Sequence, residues 1–550
     1  MFARWLGVGS VVLVSACSLT VDPPPQMTRD PMDDPVEGPT YYQDVRPLLA
    51  DNCGGCHLPD GIAPFSFDEY EETQALAGLI ANVVETRRMP PWGAHDTQEC
   101  QHDRPFKDDL RLSQDQIDVL KAWAANGAPE GEVPATVEPF SGKLSALPRV
   151  DATLTPASSF STSGTQDQFR CFVLDPAFDR GVFLRGLRFA PGNDKVVHHA
   201  IVYADATGTA VEALADENGQ YDCFGGPGFD GATLVGAWAP GGIPAIFPEG
   251  SAMPLAETTK FALQIHYHPI GAEPEEDRTS VELMFETRQP EYLAAASFIG
   301  NFSDTFNGDE GLLPGPSDDG EPRFFIPAGA KGHTETMRLR IPFRLDDEAF
   351  EGAYLHASAA HMHYVGTDMK IAIRRGSQSA PCGAADVADL EACIDTACPD
   401  AAGFALAQCI EGSCGDQLET IPAFCGSCLQ HRFLESDTDI FGTCKNTMPM
   451  PTELYGAIAD QPAEECLLQT PAWDFEWQRF YEYDVSIAEL PFVRPGDTFE
   501  LRCTYDNSMD NPFVREALDE QGLTAPRDVV LGEETLDEMC LLAVTFLYKE

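Results

Sequence analysis

The sequence predicts a mainly-β protein: two tandem β-sandwiches preceded by a small all-α unit. Three observations carry this. Beyond residue 150, short period-two runs (GVFLRGLRF, FALQIHYH, VELMFE, MRLRIPF, DTFELRCTY) alternate with Gly, Pro and Asp clusters, the pattern of half-buried strands. Before residue 131, apolar residues such as Val45, Leu48 and Leu49 recur at helical spacing instead. The length of 550 residues also exceeds what one hydrophobic core organises. With 43% hydrophobic and 22% charged residues, the composition excludes a disordered or fibrous chain.

Taken in order, Arg4 and the apolar stretch Trp5 to Ala16 read as a leader, too short to span a bilayer. It ends in Leu13-Val14-Ser15-Ala16-Cys17, which resembles a bacterial lipoprotein box. The implied outcome is cleavage before Cys17 and lipidation of that residue, tethering the protein to a membrane in the cell envelope. Residues 18–40 are rich in Pro and Asp and form a solvated tether. Residues 41–131 are the helical unit. Its last helix opens on a capping-box pattern at Ser113 and Gln116, buries Ile117, Leu120 and Trp123, and stops at Gly127 and Pro129. Residues 132–150 are a linker, 151–288 the first sandwich, and 289–550 the second, with a cysteine-rich insertion at 380–470.

Charge and cysteine content narrow the function. Against 35 Lys and Arg stand 88 Asp and Glu, a formal net charge of −53, which repels nucleic acid. Seventeen cysteines point to an oxidising compartment.

The helical unit carries Cys53-Gly54-Gly55-Cys56-His57. C-x-x-C-H is the haem attachment signature: two thiols add to the haem vinyl groups and the adjacent His ligates the iron. A redox disulfide would belong at a strand-to-helix turn, and a zinc site would need a second cysteine pair, whereas Cys100 is single. Together with RRMPPW and the helix ending in NGAP, the segment resembles small bacterial class I cytochromes c. That resemblance implies one covalent haem c held by Cys53, Cys56 and His57, with Met89 as sixth ligand.

Six of the twelve histidines fall in three groups on the strand-rich part: His198-His199, His266 with His268, and His361 with His363. The last two are i, i+2 pairs on one strand face, but neighbours His198 and His199 can share one metal only at a strand end or bulge. Imidazoles on a rigid sheet with a thioether at hand suit copper, which cycles between soft and harder states. The order HH, LQIHY, HMH and DEMC resembles the copper type II, ascorbate-dependent monooxygenases, the peptidylglycine α-hydroxylating and dopamine β-monooxygenase family, over residues 150 to 550. The resemblance implies two jelly-roll sandwiches facing across a solvent-filled cleft. It places an electron-transfer copper on His198, His199 and His266, and an oxygen-binding copper on His361, His363 and Met539. It further implies that Gln264 orients substrate or solvent, and that Cys171 pairs with Cys223 and Cys503 with Cys540.

The departures argue against a glycine-extended peptide as substrate: the family's carboxylate-holding arginine is Ala359 here, and Leu541 and Ala543 replace peptide-binding residues. His268, His333, His356 and His431 match no ligand position and are expected to be structural or surface residues. Nine cysteines from Cys382 to Cys466 plus Cys100 remain, so either Cys100 bridges to this group or a thiol stays free. Cys425 and Cys428 with His431 fit a metal knuckle or, in an oxidising envelope, disulfides.

The expected activity is copper-dependent hydroxylation of a substrate C–H bond, small molecule or peptide, with O₂. Electrons would come from ascorbate or an envelope donor, relayed by a haem unit that docks on the first sandwich. The competing expectation is an electron-transfer or copper-binding lipoprotein without hydroxylase activity.

Overall fold

A computed structural model describes residues 38–549, apart from 60–62, 141–145, 165–166, 194, 240–241, 270–272, 301–310, 321, 346–347, 376–381, 400, 402–403, 419, 422–424, 427, 431–439, 446–463, 476 and 533–535. The leader, Cys17, most of the tether and His431 lie outside the described residues. No described helix is long and apolar enough to cross a membrane.

The mainly-β expectation holds. Helices Arg46–Asn52, Tyr70–Ala75, Ala77–Glu85 and Gln114–Ala125 gather around Tyr41, Leu49, Ile80, Leu120 and Trp123. The last of them begins as its sequence predicts, with Ser113 and Gln116 closing a capping box.

The β part is built on a ten-stranded sheet whose path runs Ala152–Leu154, Ser280–Glu286, Val182–Ala190, Ser251–Leu255, Tyr292–Gly300, Leu541–Tyr548, Ala353–His361 and Tyr481–Glu482. It therefore crosses from the first half of the β part into the second, through a parallel pairing of Tyr292 and Leu293 with Ser251 and Ala252. Two five-stranded sheets complete the layers. One has the order Gln220–Asp222, Gln168–Leu174, Lys260–Tyr267, Val197–Asp205, Thr233–Trp238. The other runs Gly311–Leu312, Lys331–Arg340, Thr498–Asp506, Gly366–Arg374, Glu464–Thr470. Inward residues of all three sheets, among them Phe172, Leu187, Leu263, Ile371, Leu501 and Val544, form one continuous core, as alternation on packed antiparallel sheets requires.

All fourteen cysteines from Cys100 onward are paired. Cys171–Cys223 and Cys503–Cys540 are present, and the insertion is stapled by Cys382–Cys425, Cys393–Cys414, Cys398–Cys409 and Cys428–Cys444. The odd cysteine resolves as Cys100–Cys466, so Cys425 and Cys428 are disulfides rather than a knuckle. Cys466 itself lies on the strand Glu464–Thr470, so the end of the 380–470 segment belongs to the second five-stranded sheet.

That bridge is part of a strap. The chain between Trp92 and Lys107 leaves the helical core, and Trp92, Ala94 and Phe106 join the β core. His95 N–H donates to Gln469 O (3.1 Å) and Lys107 N–H to Glu482 O (2.8 Å), while Arg104 pairs with Glu465. The strap thus runs onto the second half of the β part, not the first. The linker is not free throughout either: Phe140 is buried in the helical core beneath Arg46.

Candidate metal centres on one cavity

Three imidazoles converge at the end of the first five-stranded sheet. His266 pairs with His199 across the strands, and the register slips so that Tyr267 faces Val197. His198 is therefore the extra residue of a β-bulge, which lets adjacent histidines share one site. The Nδ1 atoms lie 3.3 Å (His198–His199), 3.2 Å (His198–His266) and 3.3 Å (His199–His266) apart. Nitrogens bound about 2.0 Å from one ion at tetrahedral angles are about 3.3 Å apart, so the donor set fits a single metal ion. Burial, followed by the neighbouring imidazoles, holds His199 well below its ordinary pKa.

Asp167 supports this group from behind, with Oδ2 3.0 Å from His266 Nε2 and Oδ1 2.8 Å from His268 Nδ1. Burial pushes the Asp167 carboxyl up, and the hydrogen bonds to the two histidines more than reverse it, leaving it below the usual carboxylate range. Gln264 lies beneath, its amide nitrogen donating to Cys223 O (2.7 Å) and Gly226 O (3.2 Å). It holds the loop that forms the cavity wall.

The second group sits where the strand Ala353–His361 ends against Leu541. His361 Nδ1–H donates to Gln478 Oε1 (2.7 Å) and His363 Nδ1–H to Asp537 O (3.0 Å), so each ring is oriented through its Nδ1. Met539 lines the same cavity. One buried carboxylate organises this set: Glu538 accepts from the backbone N–H of His363 (2.8 Å), Met539 (2.8 Å), Val365 (3.1 Å) and Gly366 (3.2 Å). Burial pushes Glu538 up to about 8, against the pull of those four donors. Tyr505 Oη–H donates to Met539 O (2.8 Å), and Cys503–Cys540 fixes the next residue.

Both groups line one cavity of about 960 Å³, together with Gln264, Ala359, Leu541 and Ala543. Phe475 stands near both groups, its ring centroid 6.0 Å from His198 and 6.3 Å from His363, and it stacks on Tyr364 at 4.5 Å. His333 is buried against Glu335 at 2.7 Å, as a structural residue would be. His356 is buried and also lines the cavity. A bulge between Leu355 and Ala357 turns it out of the alternation that otherwise opposes it to Ala357.

In the helical unit, Cys53 and Cys56 are the two described cysteines without a disulfide. Burial raises both thiols, Cys53 to about 12. His57 Nδ1–H donates to Phe65 O (3.1 Å) and the ring stacks on Phe67 at 4.3 Å, so Nε2 is the nitrogen left for an axial bond. Met89 is half-buried beyond the helix Ala77–Glu85. Two unbridged thiols in a chain that pairs every other described cysteine fit covalent haem attachment.

Asp167, Glu538, Gln478, Phe475 and Arg479 did not emerge from the sequence. Only Glu538 had a signal, its place beside Met539 in DEMC. No family model matches this chain, and neither does any curated protein. Among solved structures it is similar to Broad Bean Stain Virus (cryo-EM; 7% identity, TM-score 0.20, 72% of this chain and 88% of that one). It is also similar to the major capsid protein P2 of bacteriophage PM2 (8%, 0.21, 72% and 97%) and to the cowpea mosaic virus top component (8%, 0.21, 72% and 88%). Likenesses this distant carry no functional argument.

Proposed function

We propose that this protein is a copper-dependent monooxygenase that hydroxylates a C–H bond with O₂, with a c-type haem on its helical unit. The observation that carries the reading is a pair of donor sets on one cavity. One is three Nδ1 atoms within 3.3 Å of each other; the other is two histidines with tied Nδ1 atoms beside Met539. His198, His199 and His266 would hold one copper, and His361, His363 and Met539 the other. Copper supplies one-electron chemistry toward O₂, and a thioether ligand favours its reduced state. The chain's own part is positional. Asp167 and Gln478 orient imidazoles, Glu538 pins the His363 turn to Met539, and the apolar walls keep bulk water from the reacting carbon. Cys53, Cys56, His57 and Met89 would hold the haem, which would supply one-electron transfer. Ascorbate or an envelope donor would provide electrons. The disulfides suit an oxidising compartment, and Cys17 would anchor the protein to the envelope.

The test is metal counting followed by turnover. Purified protein should contain two coppers and one acid-stable haem per chain. After anaerobic reduction and O₂ addition it should yield a hydroxylated product by mass spectrometry. Zinc in place of copper, or extractable haem, would refute the assignment. Full copper loading with no product across a broad substrate panel would leave an electron-transfer protein.

A further inference from the structure

The cavity holds a cation that neither metal group uses. Arg479 lines it, adjacent in sequence to the Gln478 that receives His361. Its guanidinium is packed against the faces of Trp92 (4.6 Å) and Tyr481 (5.6 Å). Its Nε is buried without a hydrogen-bond partner, and among the described residues no acidic side chain pairs with it. That is unusual in a chain this acidic. Of the acids around it, Glu482 takes Lys107 (3.0 Å) and Asp109 takes Arg111, while Asp108 acts on it from an exposed position. Burial pulls Arg479 below its ordinary pKa, with Tyr481, Glu482, Asp108 and Asp109 opposing. On its other side Arg479 reaches the haem motif, where its charge lowers the Cys56 thiol against the effect of burial.

A half-buried, ring-clamped guanidinium whose Nε lacks a partner is a preformed fork for a planar anion, because two parallel N–H···O bonds recover what desolvation cost. We propose that Arg479 binds a carboxylate at this cavity, supplied by the substrate or by a haem propionate. It would provide, from the strap side of the cavity, a positive charge that Ala359 does not. A substrate carboxylate seated there lies next to the His361 group, with Phe229, Phe298, Phe480 and Trp238 lining the space for an apolar body. The proposal needs neither copper group, so copper counted in the same samples reports separately on the function proposed above.

The experiment uses the full-length, haem-loaded protein and its Arg479→Gln and Arg479→Lys variants, with phenylacetate and its neutral isostere phenylacetamide as calorimetric probes. If the carboxylate is the substrate's, the parent protein binds phenylacetate at least tenfold more tightly than phenylacetamide. Arg479→Gln equalises the two, and Arg479→Lys keeps part of the preference. If it is the haem's, neither protein prefers phenylacetate, and Arg479→Gln shifts the haem midpoint potential and its pH dependence more than Arg479→Lys does. Should the Gln variant fail to fold, the Lys variant carries the same comparisons against the parent. Variants that change neither the probe preference nor the haem potential would overturn the proposal.

Discussion

Removing the Glu538 side chain tests how the second donor set is held. Its two oxygens accept four backbone N–H groups from His363, Val365, Gly366 and Met539, and the residue has no exposed surface. Glu538→Ala would leave those donors without partners in a dry environment. At about 1–3 kcal/mol for each unsatisfied group, the loss is on the order of 4–12 kcal/mol. That rivals the ~5–15 kcal/mol total stability of an ordinary domain, so the turn carrying His363 should open rather than endure it. Glu538→Gln keeps the shape and one acceptor oxygen and should fall between parent and Ala. Urea unfolding gives the stabilities, and copper counting gives the site. The expected result is a large loss of stability in the Ala variant, with copper lost from the His361 group and kept at the three-histidine group. An Ala variant within about 1 kcal/mol of the parent that still holds both coppers would refute the reasoning.

Two further outcomes follow from the same contacts. Asp167→Asn keeps one acceptor for two histidines, so chelator competition should show the three-histidine group binding copper about 10–100-fold more weakly while the His361 group is unchanged. Burial lowers His356 from its ordinary value to about 3, so the unfolded chain takes up a proton below pH 6.5 that the folded chain refuses. Stability is therefore complete above pH 6.5 and lost as pH falls toward 3, and His356→Phe should remove about 1.4 kcal/mol per pH unit of that slope in urea titrations. Identical slopes in the two proteins would contradict it.

Local patterns were legible in the sequence. Period-two runs located strands, the capping box located the last helix of the helical unit, and the adjacency of His198 and His199 required a strand end or a bulge, of which the structure has the bulge. Long-range partners were not. The odd cysteine count narrowed Cys100 to two fates, but its bridge spans 366 residues, and no periodicity encodes that distance. Asp167 reaches His266 across a turn of sheet, Gln478 reaches His361 over 117 residues, and Phe475 enters between the histidine groups from a loop. Such side chains are common polar or aromatic residues whose role is set by where the chain returns. The strap was hidden for a related reason: its scattered apolar residues Trp92, Ala94 and Phe106 look like helical-unit core until the second half of the β part is there to receive them.

The Cys100–Cys466 bridge imposes an order on biosynthesis. Cys100 is made 47 residues after Cys53, yet its partner appears only near the end of the chain. Throughout that interval the nearest thiols in sequence are Cys53 and Cys56, and pairing with either would spoil the haem motif and strand Cys466. Occupying the C-x-x-C-H thiols before general oxidation removes both errors at once. With haem attachment as proposed, maturation in the reverse sequence should generate a mispaired, haem-less product, separable from the correct one on a non-reducing gel.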